Sequence, residues 1–343
     1  MSKNKIFFWA LSLAISILLI GLLLSKIQTR DLIHTLANIY WPALFLYIGT
    51  SFLSSWLRAW RYKWLLHPEP IAWGKMFLVT FIRNCFDDLL PARIGSLSYI
   101  YVLNKRLNFS FESAASTFVI AFVFDFLTLS PFLGLAILIV GLGASDVSGL
   151  ALLLLSLLFF VIIFIILWQL IPIFRGLLNI YQCLLKFLKV NGKKGVQHSI
   201  AKLHMTINSL SEIRARKIYL PMFLLSLLIR LGKYISLYFL LFALLRSHGF
   251  MIKDLSFWKT ILGTTGAEMT SALPVKGLAG FGTWESAWAV AFRLMNFEPG
   301  LAIISGIGVH LITNVFEYGL GLISILILAL PYFQKRDRRG TPL

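Results

Sequence analysis

Two short stretches of this chain set a basic side chain between a proline and a glycine inside otherwise apolar sequence: Leu90-Pro91-Ala92-Arg93-Ile94-Gly95 and Leu273-Pro274-Val275-Lys276-Gly277. An ionisable group at mid-membrane costs about 2.5 to 3.5 kcal/mol on insertion scales, so it should face a cavity or a partner. Pro91 and Pro274 should end the helices that lead into them. Ser96 and Thr283 are placed to N-cap the helices that follow. Helix N-termini carry free amides and partial positive charge, so with Arg93 and Lys276 beside them they would form an anion-binding centre that suits a phosphate. The alternative is that each base neutralises a nearby acid, Asp87 or Asp88 for Arg93 and Glu268 or Glu285 for Lys276.

Other residue types widen the inventory. Gly277, Gly280 and Gly282 before Thr283-Trp284-Glu285 resemble a phosphate-cradling loop, but no strand precedes them and no Gly-Lys-Ser/Thr follows. That excludes a nucleotide motif, and close backbone approach explains the glycines instead. Glu285 suits the first turn of a helix, as a cap or as a substrate contact. Asp125, Arg230, Lys233, Glu317 and His310 lie inside long apolar runs, where they would form ion pairs across a bundle or a proton relay. Asn84 and Asn314 would hydrogen-bond between helices. No Ser-His-Asp, paired-carboxylate or metal-ligand constellation is visible, and Cys85 and Cys183 lie far apart. The expectation is therefore no catalytic residue, no metal and no cofactor.

The elements that position these residues follow from composition. The chain has 343 residues, 58% hydrophobic and 13% charged, with a mean hydropathy of +0.82, which is too little polar surface to cover a water-soluble globule. The apolar residues come in unbroken runs rather than in alternation, which argues for helices over a β-barrel. A span needs about 20 apolar residues, and six runs qualify: 6–24, 41–57, 113–142, 150–172, 218–245 and 299–330. Residues 76–103 and 255–297 are each broken by Pro and Gly with charges at the break, the pattern of half-helix pairs that enter and leave on one side. The expected fold is an all-α integral membrane protein with six full spans and two such re-entrant pairs.

The net charge of +18 would mark a nucleic-acid binder if its bases clustered in a soluble domain. They fall between apolar runs instead, and alternate by side. One side receives Lys3 and Lys5; Arg58, Arg61, Lys63 and Lys75; Lys105 and Arg106; the cluster from Arg175 to Lys217; and Lys335, Arg336, Arg338 and Arg339. The other receives Lys26, Arg30, Arg246, Lys253 and Lys259. The first side is read as cytoplasmic, with both termini on it, in a bacterial-type inner membrane. This topology makes the two broken pairs face each other and divides a single polytopic domain, 1–343, into inverted repeats, 41–172 and 218–330. Between them lies a basic cytoplasmic segment, 173–217, whose first part is an amphipathic helix at the membrane interface, and residues 331–343 form a basic cytoplasmic tail.

At Asn84, Leu90, Pro91, Arg93 and Gly95, and again at Pro274, Gly280, Gly282 and Glu285, the chain resembles the lysylphosphatidylglycerol synthase transmembrane-region family of flippase-like membrane proteins. It departs from the family pattern in having Ser96 where a Glu is usual, and no Glu-Arg pair precedes Asp125. The resemblance implies a stand-alone translocating part without the aminoacyl-transferase domain, its lipid made by a separately encoded enzyme. The expected function is translocation of a phospholipid or lipid-linked molecule through a midplane anion site. That site would comprise Arg93, Lys276, Asn84, Pro91, Gly95, Ser96, Pro274, Gly280, Gly282, Thr283 and Glu285, with Asp87, Asp88, Asp125, Arg230, Lys233, Glu268 and Glu317 as coupling or ion-pair residues. A carrier for a small anion is the second reading, and a membrane-embedded transferase on a lipid-linked substrate the third. The expected partners are phosphate-bearing membrane lipids, not nucleic acid, and a homo-oligomer is left open.

Overall fold

The computed structural model describes residues 3–141, 147–187, 194–270, 273 and 277–330, with side chains for all of these except 3–12, 91–93, 141, 147–149, 152 and 194. Among them every regular element is helical. The chain opens with α1 (Lys3–Leu24) and α2 (Thr29–Ala37), and Leu13–Leu24 meets Thr29–Ala37 at 91°. α3 (Trp41–Leu66) starts with Pro42 in its first turn and runs past the expected end at residue 57, carrying Arg58, Arg61 and Lys63 within the helix. α4 (Trp73–Leu89) stops at extended Leu90, the conformation a following proline imposes, and a 3-10 segment, Pro91–Leu97, leads into α5 (Ser98–Arg106).

α6 (Phe111–Leu127) is N-capped by Ser110, whose hydroxyl accepts from the Ser113 amide at 3.0 Å, and continues through Thr128 into α7 (Leu129–Gly141). The expected run 150–172 falls across α8 (Val147–Trp168) and the start of α9 (Leu170–Phe187), and α10 (Lys194–Ala215) folds back on α9. α11 (Tyr219–Leu245) precedes the second broken pair, α12 (Phe257–Met269) and α13 (Thr283–Leu294), and α14 (Pro299–Ala329) closes the bundle. Glu298 caps α14 by accepting from the Gly300 and Leu301 amides at 2.8 and 2.6 Å. These caps serve backbone donors that no helical partner reaches.

By length and composition, four helices are long and apolar enough to cross a membrane, five if the bent pair α1–α2 counts as one: Phe111–Val140, Leu170–Phe187, Tyr219–His248 and Pro299–Ala329 are the four. The bundle is therefore an all-α, multi-pass membrane protein. α3 and α11 form its most extensive pair, brought close where Gly232 faces Ser54, whose hydroxyl donates to the Ile229 carbonyl at 3.1 Å. Around this axis α3 packs on α4, α4 on α5 and α5 on α6; likewise α11 packs on α12, α12 on α13 and α13 on α14. α4 crosses to α14, and α12 crosses to α7. One apolar core around Tyr62, Tyr99, Met76 and Phe124 joins the first set, and another around Trp288, Phe292, Leu240 and Leu244 joins the second.

Candidate functional site

Inside three of these helices, polar residues recur at helical spacing on one face. α3 carries Tyr47, Ser51, Ser54, Ser55 and Arg58; α4 carries Arg83, Asn84, Asp87 and Asp88; α14 carries His310, Thr313, Asn314 and Glu317. Such stripes, at i, i+3, i+4 and i+7, face a common interior. Together with Lys233 and Ser236 of α11, Glu268 of α12, Ala279, Gly280 and Trp284, they line a cavity of about 160 Å³ between the two broken pairs. A smaller cavity of about 50 Å³ shares Arg58, Arg83, Asp87, Lys233 and Glu268 with it and adds Asp125 and Arg230.

Most of these charges are paired. Arg61, fully buried, sits 2.7 Å from Asp125 and also donates to the Ser226 hydroxyl at 2.9 Å, tying α3, α6 and α11 together. Arg83 lies 3.6 Å from Asp87 and 4.0 Å from the second Asp125 oxygen. Glu268 takes Lys233 at 2.8 Å and Arg230 at 3.5 Å, and Arg230 also donates to the Asp125 carbonyl. Arg58 differs. Its Nη1 donates to the Asn84 side-chain oxygen at 3.1 Å and, among the described residues, no carboxylate lies within 4.0 Å of it; its Nε is enclosed without a hydrogen-bond partner, as are those of Arg61 and Arg83. Opposite it, Glu317 Oε2 and Asn314 Nδ2 are also enclosed without partners. The cavity thus holds both spare donors and a spare acceptor, which leaving a water-poor interior would make costly unless a ligand or water meets them.

The tip between α12 and α13 is held by α1. Ala279, Gly280 and Gly282 have φ of 53°, 82° and 87°, so the backbone coils on itself. Its Leu278 amide donates to the Ser16 hydroxyl at 2.6 Å, which donates in turn to the Phe281 carbonyl at 3.1 Å. Beyond it Glu285 is fully buried; its Oε2 accepts from the Gly282 amide at 2.7 Å and its Oε1 lies 2.6 Å from His310 Nδ1. The tip between α4 and α5 closes through Gly95, where a Cβ would lie 1.6 Å from the Phe86 carbonyl oxygen.

The model of the lysylphosphatidylglycerol synthase TM region family matches residues 9–321 of this membrane bundle. The chain belongs to that family. The matched part is the family's membrane region, and it takes in both broken pairs and every cavity-lining residue. No curated protein matches the chain.

Within this member of the lysylphosphatidylglycerol synthase TM region family, the residues singled out from sequence divide into three groups. Asn84, Asp87, Asp88, Lys233, Glu268, Gly280 and Glu317 line the larger cavity, and Asp125 and Arg230 the smaller one. Gly95, Ser96, Gly282, Thr283 and Glu285 stand behind the lining. Pro91 and Arg93 belong to the 3-10 segment Pro91–Leu97, but their side chains lie outside the described ones, and Pro274 and Lys276 lie outside the described residues.

Two capping roles need correction. Ser96 does not cap α5, because the 3-10 segment runs on to Leu97; its hydroxyl donates to Asp87 and accepts from Arg83 Nη2 at 3.3 Å. Thr283 is the first residue of α13 rather than its cap, and its hydroxyl donates to the Gly280 carbonyl at 2.9 Å. Arg58 and Arg61 are also not flanking charges in water, since Arg61 is fully buried and Arg58 lines the cavity. Sequence reading ended the span at the first charge. The serine stripe leading into Arg58 was the signal that the polar face continues inward.

Proposed function

We propose that the chain translocates a phosphate-bearing lipid across the cytoplasmic membrane, the headgroup passing through the central cavity while the tails stay in lipid. Arg58 carries this reading: a guanidinium in a membrane interior, with a donor left over and no carboxylate beside it, is an anchor for an anion that arrives from outside the protein. Asn84 and Lys233 would help hold it, the latter through ammonium donors that Glu268 leaves free. Arg93 and Lys276, which fall in sequence between the arms of the two broken pairs, would add positive charge for the headgroup. Membership in a family named for the membrane region of a phospholipid synthase supports a lipid as the source of that anion. No group-transfer chemistry is assigned to the chain.

The helix pairings support an inverted repeat with 41–172 and 218–330 as the halves; six spans and cytoplasmic termini are inferred from the pattern of apolar runs and basic residues alone. In each half a long helix packs on the first arm of a broken pair, the arms pack on each other, and the second arm packs on the following span. Two such halves in opposite orientation build a site near the midplane that can be exposed to each side in turn.

The test is headgroup translocation in vesicles containing the purified chain, followed by dithionite quenching of fluorescent phosphatidylglycerol. Wild-type protein should accelerate quenching beyond the half in the outer leaflet, and Arg58→Gln should cut that rate about tenfold, as loss of a charge-assisted bond predicts. No acceleration by wild type would overturn the reading. The cavity, at about 160 Å³, is large enough for a free phosphate group without tails. Uptake of radiolabelled inorganic phosphate without lipid translocation would make the chain a small-anion carrier instead.

A further inference from the structure

The buried pair Glu285–His310 has no role in the anion site as described, and its geometry is that of a proton carrier. Glu285 is fully buried and fixed from two sides, by the Gly282 amide on Oε2 and by His310 Nδ1 on Oε1. A carboxylate that already accepts a backbone N–H is met by the Nδ1–H of the ring as donor, which leaves the lone pair of neutral imidazole on Nε2. The ring is clamped between Phe281, with centroids 4.7 Å apart, and Trp284, stacked at 4.8 Å. These contacts, with the bond at Nδ1, oppose its turning to hide Nε2. That atom has no hydrogen-bond partner among the described residues and points toward Gly280, where the missing side chain leaves space: a Cβ there would lie 3.5 Å from it. His310 and Gly280 both line the central cavity.

The charged groups that share this cavity with His310 come from every neighbouring element. α14 itself brings Glu317, α4 brings Arg83, Asp87 and Asp88, α3 brings Arg58 with Tyr47, α11 brings Lys233 and α12 brings Glu268. α1, packed on the tip, supplies the hydroxyl of Ser16, and α2, which also packs on α14, carries Arg30, Asp31 and His34, none of which lines the cavity. Arg83 and Lys233 are offset by Asp87 and Glu268. An incoming anion thus meets Arg58 as its one cation without a carboxylate within 4.0 Å among the described lining residues, and an acidic wall around it. A proton on Nε2 adds a second cationic donor without adding a base.

Resting on the reading of the cavity as an anion site, we propose that binding of the phosphate-bearing anion is coupled to protonation of His310 at Nε2, which makes the chain a proton-coupled carrier. Water on the loading side gives up the proton, the new N–H faces the anion, and Glu285 holds the resulting imidazolium through Nδ1. Release of the anion removes the charge that favoured the proton, and Nε2 returns it to water on the other side. Because coupling is reciprocal, the anion must bind more tightly at low pH and must drag protons with it.

Dihexanoyl phosphatidylglycerol and, in a parallel arm, inorganic phosphate are titrated into full-length protein in weakly buffered detergent with a pH-indicator dye. Wild type should take up about one proton per anion bound, and its affinity should rise about tenfold between roughly pH 8 and pH 5.5. His310→Gln, which keeps a donor in place of the ring, should bind with the same affinity at both pH values and take up none. The lipid arm responding alone identifies a headgroup, and both arms responding identify the phosphate itself as the coupled group. Binding by wild type without proton uptake overturns the coupling and leaves the translocator standing. Failure of wild type to bind either probe overturns the anion site, and the coupling with it. Vesicle translocation with an imposed pH gradient checks the outcome without a variant: a rate equal with and without the gradient also overturns it.

Discussion

Arg58 and Arg61 are three residues apart on one helix, yet the structure gives them opposite tasks. Arg61 has no exposure and is held through Nη1 by Asp125 and Ser226, so it is a clamp between helices. Arg58 lines the cavity and, among the described residues, has no carboxylate within 4.0 Å. Removing one partner of a buried pair strands the other charge, at a cost of about 3 to 5 kcal/mol, while replacing both with apolar groups of similar volume is often neutral. Arg61→Met should therefore lower the unfolding temperature in detergent sharply, and Arg61→Met with Asp125→Leu should recover most of it. Arg58→Gln should unfold within a few degrees of wild type while losing anion binding. If Arg58→Gln is as unstable as Arg61→Met, Arg58 is a structural residue and the proposed anchor is wrong. The contrast could not be drawn from sequence, where both arginines sit at the end of an apolar run and read as flanking charges. What was legible there was the acid side, since Asp87, Asp88, Asp125, Glu268 and Glu317 are isolated in apolar helices and had to face an interior.

At the scale of elements, the broken pairs were legible because proline and glycine interrupt apolar runs that are too long to be loops. Helices do stop at Leu89 and Met269 and restart at Ser98 and Thr283. The caps were not legible, because a capping serine and a serine that bonds a carboxylate look alike in sequence, and a 3-10 turn between the arms shifts the start of α5 beyond Ser96. Gly95 is the residue on which the first tip depends. A side chain there would stand 1.6 Å from the Phe86 carbonyl oxygen, which belongs to the last turn of α4 and cannot retreat without breaking that turn. Gly74, on the same helix, has nothing within 4 Å of a Cβ. Gly95→Ala should reduce the monodisperse fraction on size-exclusion chromatography severely. Gly74→Ala should behave as wild type or slightly better, since alanine is favoured over glycine in a helix by roughly 0.5 to 1 kcal/mol. Equal behaviour of the two variants would mean that the tip adapts, and that close approach is not why glycine stands at 95.

For the whole molecule, the placement of α9 decides the topology. Leu170–Phe187 is long and apolar enough to cross the membrane by length and composition, whereas the charge pattern leads to the expectation that residues 173–217 lie on the cytoplasmic side. The path of the chain separates these. Arg214, at the end of α10, donates to the Trp168 carbonyl at 3.3 Å, just where α9 begins, and Gln182 meets His204 at 3.3 Å halfway along, so α9 and α10 form an antiparallel hairpin. If α9 crossed, α10 would have to cross back, carrying His198, Lys202, His204 and Glu212 through lipid, and each charge at the bilayer centre is disfavoured by about 2.5 to 3.5 kcal/mol. Arg216 binds the carbonyls of Trp64, Leu65 and His67 at the end of α3, and Lys202 stands 5.3 Å over the Phe111 ring at the start of α6. The hairpin therefore lies at the end of the bundle where α3 finishes and α6 begins, and the expectation is that α9 turns its apolar face to the membrane interface. Cys183, exposed on α9, reports on this without any added label site, because Cys85 is buried against Gly321. A membrane-impermeant maleimide should modify Cys183 in inside-out vesicles and leave it untouched in right-side-out ones, with Cys183→Ser abolishing the signal. Modification from the outer side would mean that α9 crosses, and would reverse the orientation of α10 along with the charge argument that fixed the rest.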